Sequence, residues 1–364
     1  VFNSGQAGFR RGFSTLSQVL LAAESSQRGM HNKVFIDLSS AYDKVLLPRL
    51  WRKLELKRVV PGFLITVLQS LFDNCLSYAV VNGSLVGPIS RERGLFQGSI
   101  LSPILFNVYI NDLAEMLNQG NNSPVPKALL YADDILIQHH DKDVVQQMLQ
   151  QVDSWCQLNG MTVNIGKCGT FPGRLFTLAG QKIPEVTSYK YLGIPHNQTG
   201  LDLVEMVTLS SKKALGFLKM LEANTCSWAW PTHVKIFIYR TFIRPIAEYG
   251  APLMYHVLNR PETARSNSLW QELEKVQKAS LTWIFSRKGT TSLLRSLAGL
   301  EPLKTRFSVL ALLFVRHLRS LDGSHPLHSN KANCAEDPRC RARSPPGAGQ
   351  VATADVDSIN VSSS

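Results

Sequence analysis

Two adjacent carboxylates stand between apolar runs in the segment YADDILI at 131–137. Asp133 and Asp134 repel each other, and burying either one costs several kcal/mol unless a cation compensates its charge. One interpretation is a solvated turn between two strands. The other is a strand-turn-strand unit that presents carboxylates to a divalent metal ion. The four residues YADD at 131–134, taken alone, leave both interpretations open.

A third carboxylate, Asp37, ends a predicted strand in the segment FIDLSSAYD at 35–43. If this strand neighbours the one near Asp133, three carboxylates converge, and Mg²⁺ ions held by oxygen ligands are the usual compensation. Two such ions, about 4 Å apart, suit the activation of a hydroxyl and the departure of pyrophosphate. The alternative is that Asp37 caps a helix and the pair forms an ordinary turn.

Further candidate residues have chemistry that suits a nucleotide. Tyr42 is either a core aromatic residue or a bulky group beneath a sugar that excludes a 2′-hydroxyl. Gln97 and Gly98 lie in a loop before a predicted helix, where glycine permits close backbone approach and glutamine can contact a template base. Arg10 and Arg11, in GFRRG, can bind triphosphate oxygens bidentately or form a solvated basic loop.

The elements that position these residues divide the chain into an α+β front half and an all-helical back half. Periodicity and turn signals predict a strand from residue 33 and a hairpin around Asn82 and Gly83. A helix is predicted from an N-cap at Ser102, with Pro103 at its first position, to about residue 117. Other predicted helices span 16–28, 48–56, 61–74, 141–159, 203–223, 231–258, 262–286 and 303–321. Disorder is predicted from residue 323 onward.

The bulk properties restrict the class of partner. The 364 residues carry a formal net charge of +12, which indicates a polyanion, with nucleic acid first and an anionic membrane surface second. We expect no membrane-spanning segment, because no apolar run has the required length. The six cysteines show neither CxxC pairs nor zinc-site spacing, which is typical of reduced thiols in an intracellular protein. Because the chain starts at Val1 without Met, we expect it to be a fragment of a longer protein.

Six segments, in order, resemble the reverse transcriptases of non-LTR (LINE-like) retrotransposons over residues 4–320. They are QAGFRRGFST, FIDLSSAYDKV, RGLFQGSILSPILFNVYINDL, LLYADDILI, LNGMTVNIGKC and YKYLGI. The resemblance implies an α+β right-hand polymerase, with an antiparallel palm sheet and packed helices, partial fingers and an all-helical thumb. It implies the remainder of the fingers at 1–32, a palm with fingers insertion and primer-grip region at 33–199, the thumb at 200–322 and a disordered tail at 323–364.

The implied activity is RNA-directed DNA synthesis, in which dNTPs extend a DNA primer on an RNA template. In this resemblance Asp37, Asp133 and Asp134 are the catalytic, metal-binding carboxylates. Ile36 or Leu38 supplies a backbone oxygen. The implied cofactor is two Mg²⁺ ions, with Mn²⁺ as the alternative.

The resemblance also assigns residues to the nucleotide. Tyr42 is similar to the sugar gate, and Gln97 and Gly98 to the residues that contact the template–nucleotide pair. Arg10 is similar to the finger arginine that holds the triphosphate, and Lys167 to a general acid toward pyrophosphate. A surface lysine is the alternative for Lys167. Basic residues of the implied thumb would follow duplex phosphates, namely Lys212, Lys213, Lys219, Arg240 and Lys278.

The chain departs from the family pattern at Phe96, where the family usually has proline. It also lacks the N-terminal finger blocks and any endonuclease domain, which we expect upstream in the full-length protein. The expected location is the nucleus or a cytoplasmic ribonucleoprotein, without secretion. The alternative functions are an inactive nucleic-acid-binding remnant, an RNA polymerase of viral type, which Tyr42 disfavours, and a two-metal nuclease, which leaves the Gln97 loop unexplained.

Overall fold

A four-stranded antiparallel sheet, with the strand order 128–131, 134–139, 32–37 and 169–170, lies at the centre of the front half. The computed structural model describes residues 2–58, 60–72, 75–90, 93–121, 123–223, 229–258, 264–287, 289–321, 323 and 325–328. The strands of this sheet are β1 (Asn32–Asp37), β4 (Ala128–Tyr131), β5 (Asp134–His139) and β6 (Gly169–Thr170). The sheet is buried on both faces, because alternate residues of β1 enter different hydrophobic cores: Val34 and Ile36 enter the first, and Phe35 enters the second.

Helices α4 (Leu101–Leu117) and α5 (Lys142–Asn159) pack on the first face of the sheet. Helix α2 (Leu47–Lys57) packs on α4, and α3 (Gly62–Phe72) packs on α2, so both complete the same core. The ends of α5 follow from the sequence, since Asp141 caps its N-terminus and Gly160, with φ of +66°, ends it in the left-handed conformation. A β-ribbon of β2 (Leu76–Val81) and β3 (Ser84–Ser90) turns at Asn82 and Gly83, as predicted.

The second face is covered by α1 (Thr15–Gln27) and by the short strands β9 (Tyr189–Tyr191), β10 (Ile194–Asn197) and β11 (Gly200–Leu201). The hairpin of β7 (Thr177–Leu178) and β8 (Gln181–Lys182) belongs to the other side, because Leu178 is buried in the first core and Gln146 of α5 donates to Thr177 O at 2.9 Å. Phe35 connects the layer on the second face to the sheet, because its ring stacks on Tyr189 with centroids 4.2 Å apart. The hairpin formed by β9 and β10 is thereby held against the central strand.

The back half is helical, as predicted. Its elements are α6 (Leu203–Ala223), α7 (Thr232–Ile238), a π-helical turn (Tyr239–Ile243), α8 (Arg244–Glu248), α9 (Ala251–Leu258), α10 (Ala264–Phe285), α11 (Thr291–Leu297) and α12 (Leu303–Ser320). Glu248, which is 9% exposed, joins α8 to α12 through Arg306, whose Nε is 3.2 Å from its carboxylate. Among the described residues, no helix is long and apolar enough to cross a membrane.

The predicted fold class, α+β with a palm-type antiparallel sheet and an all-helical region after it, is confirmed, but several boundaries were wrong. The helix predicted at 231–258 is divided by the π turn and by a break at Tyr249 and Gly250. Ser102 is not an N-cap, because α4 begins at Leu101 and the Ser102 hydroxyl donates to the carbonyl oxygen of Phe96 at 2.7 Å. Helix α11 was not predicted.

The predicted disordered tail at 323–364 lies outside the described residues apart from 323 and 325–328. Within that short stretch, His325 and Leu327 are buried, and the His325 ring lies 4.2 Å from the ring of Phe13. The packed part of the chain therefore extends beyond the predicted start of the tail.

An N-terminal loop at residues 5–8 runs beside the edge strand β4. Ala7 N donates to Leu130 O at 2.9 Å, and Leu130 N donates to Gly5 O at 2.8 Å. Beneath the loop, the buried Asn107 accepts from Gln6 Nε2 at 3.0 Å and donates to Gly8 O at 2.5 Å. The loop therefore extends the sheet by main-chain pairing, and a buried polar network fixes its position.

Gly8 lies so close to the β4–β5 turn that Gly8→Ala should destabilise the protein. An added Cβ would lie 2.6 Å from Ala132 N, which is backbone and cannot rotate away. We expect the thermal unfolding midpoint to fall by at least about 2 °C. Gly216→Ala is the control, because Gly216 lies inside α6 with open space around it and alanine favours a helix. Equal midpoints for Gly8→Ala and the unmodified protein would contradict the close packing.

Candidate active site

The register between β1 and β5 brings the predicted carboxylates together. Asp37 lies directly opposite Asp134, and Tyr131 pairs with Asp134 to close a two-residue turn of Ala132 and Asp133. Directly opposed residues project from the same face of a sheet, with Cβ atoms about 5 Å apart. Ala132 has φ of +54°, a conformation that costs a non-glycine residue on the order of 1 kcal/mol. The turn that carries Asp133 is thus locally strained.

Burial and mutual repulsion act on the paired carboxylates. Burial, and then the charges of Asp133 and Asp37, raise the pKa of Asp134 to about 6. Burial also raises the pKa of Asp133, with a further rise from Asp37 and an opposing effect of Lys167. The two carboxylates lie near different tyrosines. Besides burial, which is the larger cause, the charge of Asp133 raises the pKa of Tyr42, and that of Asp134 raises the pKa of Tyr189 and Tyr191. Among the described residues, three carboxylates thus meet near a single ammonium group, that of Lys167, so negative charge is in excess.

A polar cleft of about 270 Å³ opens at this end of the sheet. Six of the predicted site residues line it: Asp37, Leu38, Tyr42, Gln97, Asp133 and Lys167. They come from β1, from the loops that follow β1 and β3, from the β4–β5 turn and from the segment before β6. Sequence positions up to 130 residues apart in the chain therefore meet at one surface depression.

Tyr42 and Gln97 form one wall of the cleft. The Tyr42 ring is half-buried and stacks on Phe106, with centroids 4.8 Å apart and planes 17° apart. Burial, and then the charge of Asp133, raise the pKa of Tyr42 to about 12, so it is a neutral phenol at physiological pH. Gln97 is exposed, and its Nε2 lies 3.5 Å from both carboxylate oxygens of Asp43. Tyr42 is therefore held rigidly, whereas Gln97 has one weak contact.

Lys167 reaches across the cleft from the 3₁₀ turn Ile165–Lys167. Its Nζ is 3.8 Å from Asp37 Oδ2, and its side chain is 69% exposed. An ion pair this exposed contributes little stability. Its backbone is better fixed, because the Tyr189 hydroxyl donates to Lys167 O at 3.0 Å and Asn164 N donates to Asp37 O at 2.9 Å. The amine is thus positioned near the carboxylates and remains accessible to solvent.

Five predicted site residues do not line the cleft: Arg10, Arg11, Ile36, Gly98 and Asp134. Arg10 is engaged within its own loop, where it donates to Asn3 O at 2.6 Å and to Gln6 O, and its guanidinium carbon lies 4.2 Å from the Phe13 ring centroid. Arg11 is exposed. Gly98 has φ of +89°, the conformation that favours glycine. Ile36 is buried in the first core.

Residues beyond the predicted set also line the cleft: Ser39, Ser40, Ala41, Asp43 and Asn164. The first four could have been predicted from the segment SSAYD at 39–43. This mostly polar stretch follows a buried strand, and such a stretch forms the rim of a cleft at the end of the strand. Asn164 lies in the segment LNGMTVNIGKC, which also contains Lys167, and the backbone bridge between Val163 and Leu38 brings it to the cleft.

The donor set suits a hard divalent cation. Asp37 and Asp133 offer carboxylate oxygens to the cleft, and Leu38 contributes to its lining although its side chain is buried. Oxygen donors are the ligands that Mg²⁺ prefers, and a bound cation would offset the repulsion that raises the pKa of Asp134. Within the described part of the chain, no three His, Cys, Asp or Glu side chains are grouped closely enough to hold a metal ion by themselves. The fit therefore rests on carboxylates that share a cation with other oxygen donors.

The profile of the reverse transcriptase (RNA-dependent DNA polymerase) family matches residues 1–196, which is more than half of the chain. The chain belongs to this family. The matched region contains the sheet, the cleft and the β9–β10 hairpin of this reverse transcriptase domain. Members of the family generally use divalent metal ions, in agreement with the donor set.

Curated relatives confirm the resemblance to non-LTR retrotransposon polymerases. The Pol polyprotein of the type-1 element R2 from Popillia japonica is 27% identical over 242 residues, which cover 60% of this chain and 38% of the relative. The RNA-directed DNA polymerase of the mobile element jockey from Drosophila melanogaster is 28% identical over 218 residues, covering 52% and 22%. The probable polymerase of transposon BS from the same fly is 30% identical over 211 residues, covering 52% and 23%. The chain thus spans well under half the length of these relatives.

A solved structure of telomerase from Candida albicans, in complex with a fragment of telomeric RNA, is also similar to the chain. The two are 14% identical, with a TM-score of 0.45, over 81% of this chain and 54% of the telomerase chain.

The raised pKa of Asp134 predicts that Asp134→Asn stabilises the metal-free protein at pH 7. The folded protein binds more protons than the unfolded chain between the usual aspartate pKa of 3.8 and about 6, so this group lowers the free energy of unfolding as pH rises through that window. We expect a melting midpoint about 2 °C or more above that of the unmodified protein at pH 7, in EDTA, and no difference below pH 4. Asp153→Asn on α5, outside the cluster, is the control. The same pH profile in both variants would contradict this electrostatic account.

Proposed function

We propose that this chain carries RNA-directed DNA polymerase activity and extends a DNA primer 3′-hydroxyl with dNTPs on an RNA template. The observation that carries the proposal is the register of Asp37 opposite Asp134, which places Asp37 and Asp133 in one cleft with Tyr42, Gln97 and Lys167. Family membership and the names of the relatives support it. The net charge of +12 also suits a nucleic-acid partner.

The carboxylates Asp37, Asp133 and Asp134 would hold the metal cofactor, for which we propose two Mg²⁺ ions with Mn²⁺ as the alternative. A backbone oxygen would come from Leu38, which lines the cleft, rather than from Ile36, which does not. When bound, the ions would lower the pKa of the primer hydroxyl and stabilise the charge on the departing pyrophosphate. The protein contributes the strand register that holds the carboxylates in place before any ligand arrives.

The remaining cleft residues have separate roles in the proposal. The Tyr42 ring stacks on Phe106. In the proposal this ring lies beneath the sugar and leaves no space for a 2′-hydroxyl. Gln97 is exposed and would exchange its weak contact with Asp43 for the templating base, with Gly98 allowing the backbone to approach. Lys167, positioned but accessible, would donate a proton to an oxygen of the departing pyrophosphate.

The two loop arginines divide the proposed triphosphate contact. Arg10 already has acceptors in the carbonyl oxygens of Asn3 and Gln6, so it organises the loop as well as adding positive charge. Arg11 is exposed and would make the direct contact with phosphate oxygens. Its planar guanidinium suits bidentate binding of such oxygens.

We further propose the domain assignment of fingers at 1–32, palm at 33–199 and thumb at 200–322, with duplex phosphates along the thumb. Four of the predicted phosphate-binding lysines are exposed on α6 and α10: Lys212, Lys213, Lys219 and Lys278. Arg240 has another role, because its guanidinium donates to Ala298 O and Gly299 O at the end of α11. An endonuclease domain would belong to the full-length protein, and synthesis would take place in the nucleus or in a cytoplasmic ribonucleoprotein.

Asp37→Asn and Asp133→Asn should each abolish primer extension, because each removes a carboxylate from the proposed metal site without changing side-chain volume. We expect a loss of at least about 100-fold in incorporation on an RNA template with Mg²⁺, and intact binding of template–primer. Asp153→Asn is again the control. Undiminished extension by either cleft variant would contradict the mechanism. Tight template–primer binding with no incorporation by the unmodified chain would instead favour a catalytically inactive nucleic-acid-binding remnant.

Tyr42→Ala should relax the selection of dNTPs over rNTPs. Removal of the ring opens the space beneath the sugar, and we expect the relative efficiency of rNTP incorporation to rise by about 10-fold or more. Tyr42→Phe keeps the ring on Phe106 and should retain selectivity. The two nucleotide types are compared by steady-state incorporation opposite the same template base. An unchanged ratio in the alanine variant would exclude Tyr42 as the gate.

A further inference from the structure

The helical region bends sharply where it meets the β9–β10 hairpin. The π turn Tyr239–Ile243 precedes α8, and Tyr249 and Gly250 then separate α8 from α9. Tyr249 is extended, with φ of −59° and ψ of 123°, and Gly250 has φ of +76°. π turns often occur at functional sites, and a left-handed glycine gives the chain a reversal that other residues resist.

Gly250 also lies against two neighbouring elements. An added Cβ would lie 2.0 Å from Met206 Cε of α6 and 3.6 Å from Ile194 Cδ1 of β10. The backbone of the bend therefore lies directly between the first long helix of the back half and the hairpin, and Tyr249 is carried to a fixed position beside it.

Tyr249 reaches three parts of the front half. Its hydroxyl donates to Leu192 O at 2.7 Å and lies 3.4 Å from Thr15 Oγ1 at the start of α1. Its ring lies 3.0 Å from the position of a Cβ on Gly193. It is also close enough to Tyr131 to raise its pKa, although burial is the larger cause. Tyr131 precedes the Ala132 and Asp133 turn, so the Tyr249 hydroxyl is bonded to the β9–β10 hairpin and lies near the β4–β5 hairpin.

The turn that accepts this hydrogen bond is strained. Leu192 has φ of +46° and Gly193 has φ of +82°, a left-handed pair in which asparagine and glycine are the favoured residues. Leucine in this conformation costs on the order of 1–3 kcal/mol and persists only when its surroundings hold it. The Tyr249 hydroxyl supplies such a constraint at the Leu192 carbonyl. Lys190 and Lys213 line a cleft of about 370 Å³ beside the same contact.

We propose that Tyr249 is a positioning residue, whose hydroxyl holds the strained Leu192–Gly193 turn in a fixed place relative to the turn that carries Asp133. The inference rests on the polymerase function proposed above, in which the segment YKYLGI of the β9–β10 hairpin resembles the primer-grip region. A primer terminus held there can react only if that hairpin and the carboxylates keep their separation. Small displacements of reacting groups lower rates strongly, so the contact acts on the rate of incorporation.

Tyr249→Phe removes only the hydroxyl and leaves the ring on Gly193. Tyr255→Phe is the matched control, because Tyr255 lies in the next helix and its hydroxyl accepts a hydrogen bond from Ser308 Oγ at 3.1 Å, away from the hairpin. We expect Tyr249→Phe to speed amide hydrogen exchange at 191–194 by about tenfold in the free chain, with a melting midpoint within about 2 °C of the unmodified protein. Tyr255→Phe should leave exchange in that turn unchanged.

Single-turnover primer extension then tests the consequence. At saturating template–primer and dNTP, Tyr249→Phe should lower the incorporation rate by about 5- to 10-fold, whereas the dissociation constant for template–primer should change less than twofold. Leu192→Asn, which suits the left-handed conformation, should restore at least half of the lost rate in the Tyr249→Phe background. A purely structural role would lower the melting midpoint and would not give this rescue.

Two results would overturn the proposal. Unchanged exchange at 191–194 in Tyr249→Phe would show that the hydroxyl does not hold the turn, whatever the activity. Faster exchange with an incorporation rate equal to that of the unmodified chain would show that the turn does not position the primer. A chain that incorporates no nucleotide in any variant would overturn the proposed polymerase function, and with it the effect on rate, whereas the exchange result would still decide whether Tyr249 holds the turn.

Discussion

The antiparallel pairing of β1 with β5 is the constraint on which the site depends. Val34 and Ile36 in β1, and Ile135 and Ile137 in β5, fill the same core, so a slip by one residue would turn these side chains to the opposite face. Burial of each such side chain is worth about 1.5–3 kcal/mol, which together exceeds the repulsion between the carboxylates at the strand ends. Apolar packing therefore holds Asp37 close to Asp133 and Asp134. As a result, the site carries an excess of negative charge before any ligand binds.

Two hairpin turns of this domain are strained, and each is supported from outside its own hairpin. The Ala132 turn is backed by the N-terminal loop, in which Gly8 packs against backbone. The Leu192 turn is backed by Tyr249 of the helical region. Because a non-glycine residue at positive φ reverts unless its surroundings oppose it, distant segments of the chain determine the geometry of both turns. The loop and the helical region are in this sense parts of the site, although neither contributes a carboxylate.

The sequence predicted those features whose signals are local. The Asn82 and Gly83 turn and the helix at 203–223 were confirmed, because turn chemistry and 3.6-residue periodicity act within a few residues. Most of the cleft residues were predicted from the order of the six segments that resemble the family. Hydrophobic periodicity alone does not indicate that Asp37 lies beside Asp133. The break at Tyr249 was not predicted, although Gly250, with φ of +76°, is a local signal for the end of a helix. The inward orientation of Arg10 was missed because its acceptors are backbone carbonyls of a folded loop.

The basic residues of the chain are divided between internal and external roles, and both residue types occur in each: Lys33 and Lys235 are buried, whereas Arg11 and Arg240 are exposed. Arg10 and Arg240 each donate to two backbone carbonyls, and Arg306 pairs with the buried Glu248. A planar guanidinium with several fixed donors is suited to such multiple acceptors inside a protein. The exposed lysines of α6 and α10 keep strongly hydrated point charges on flexible stems, which suits contact with phosphates of any sequence. Several basic side chains are thus engaged with acceptors of the protein itself, so the net charge overstates the number of cations available to a polyanion.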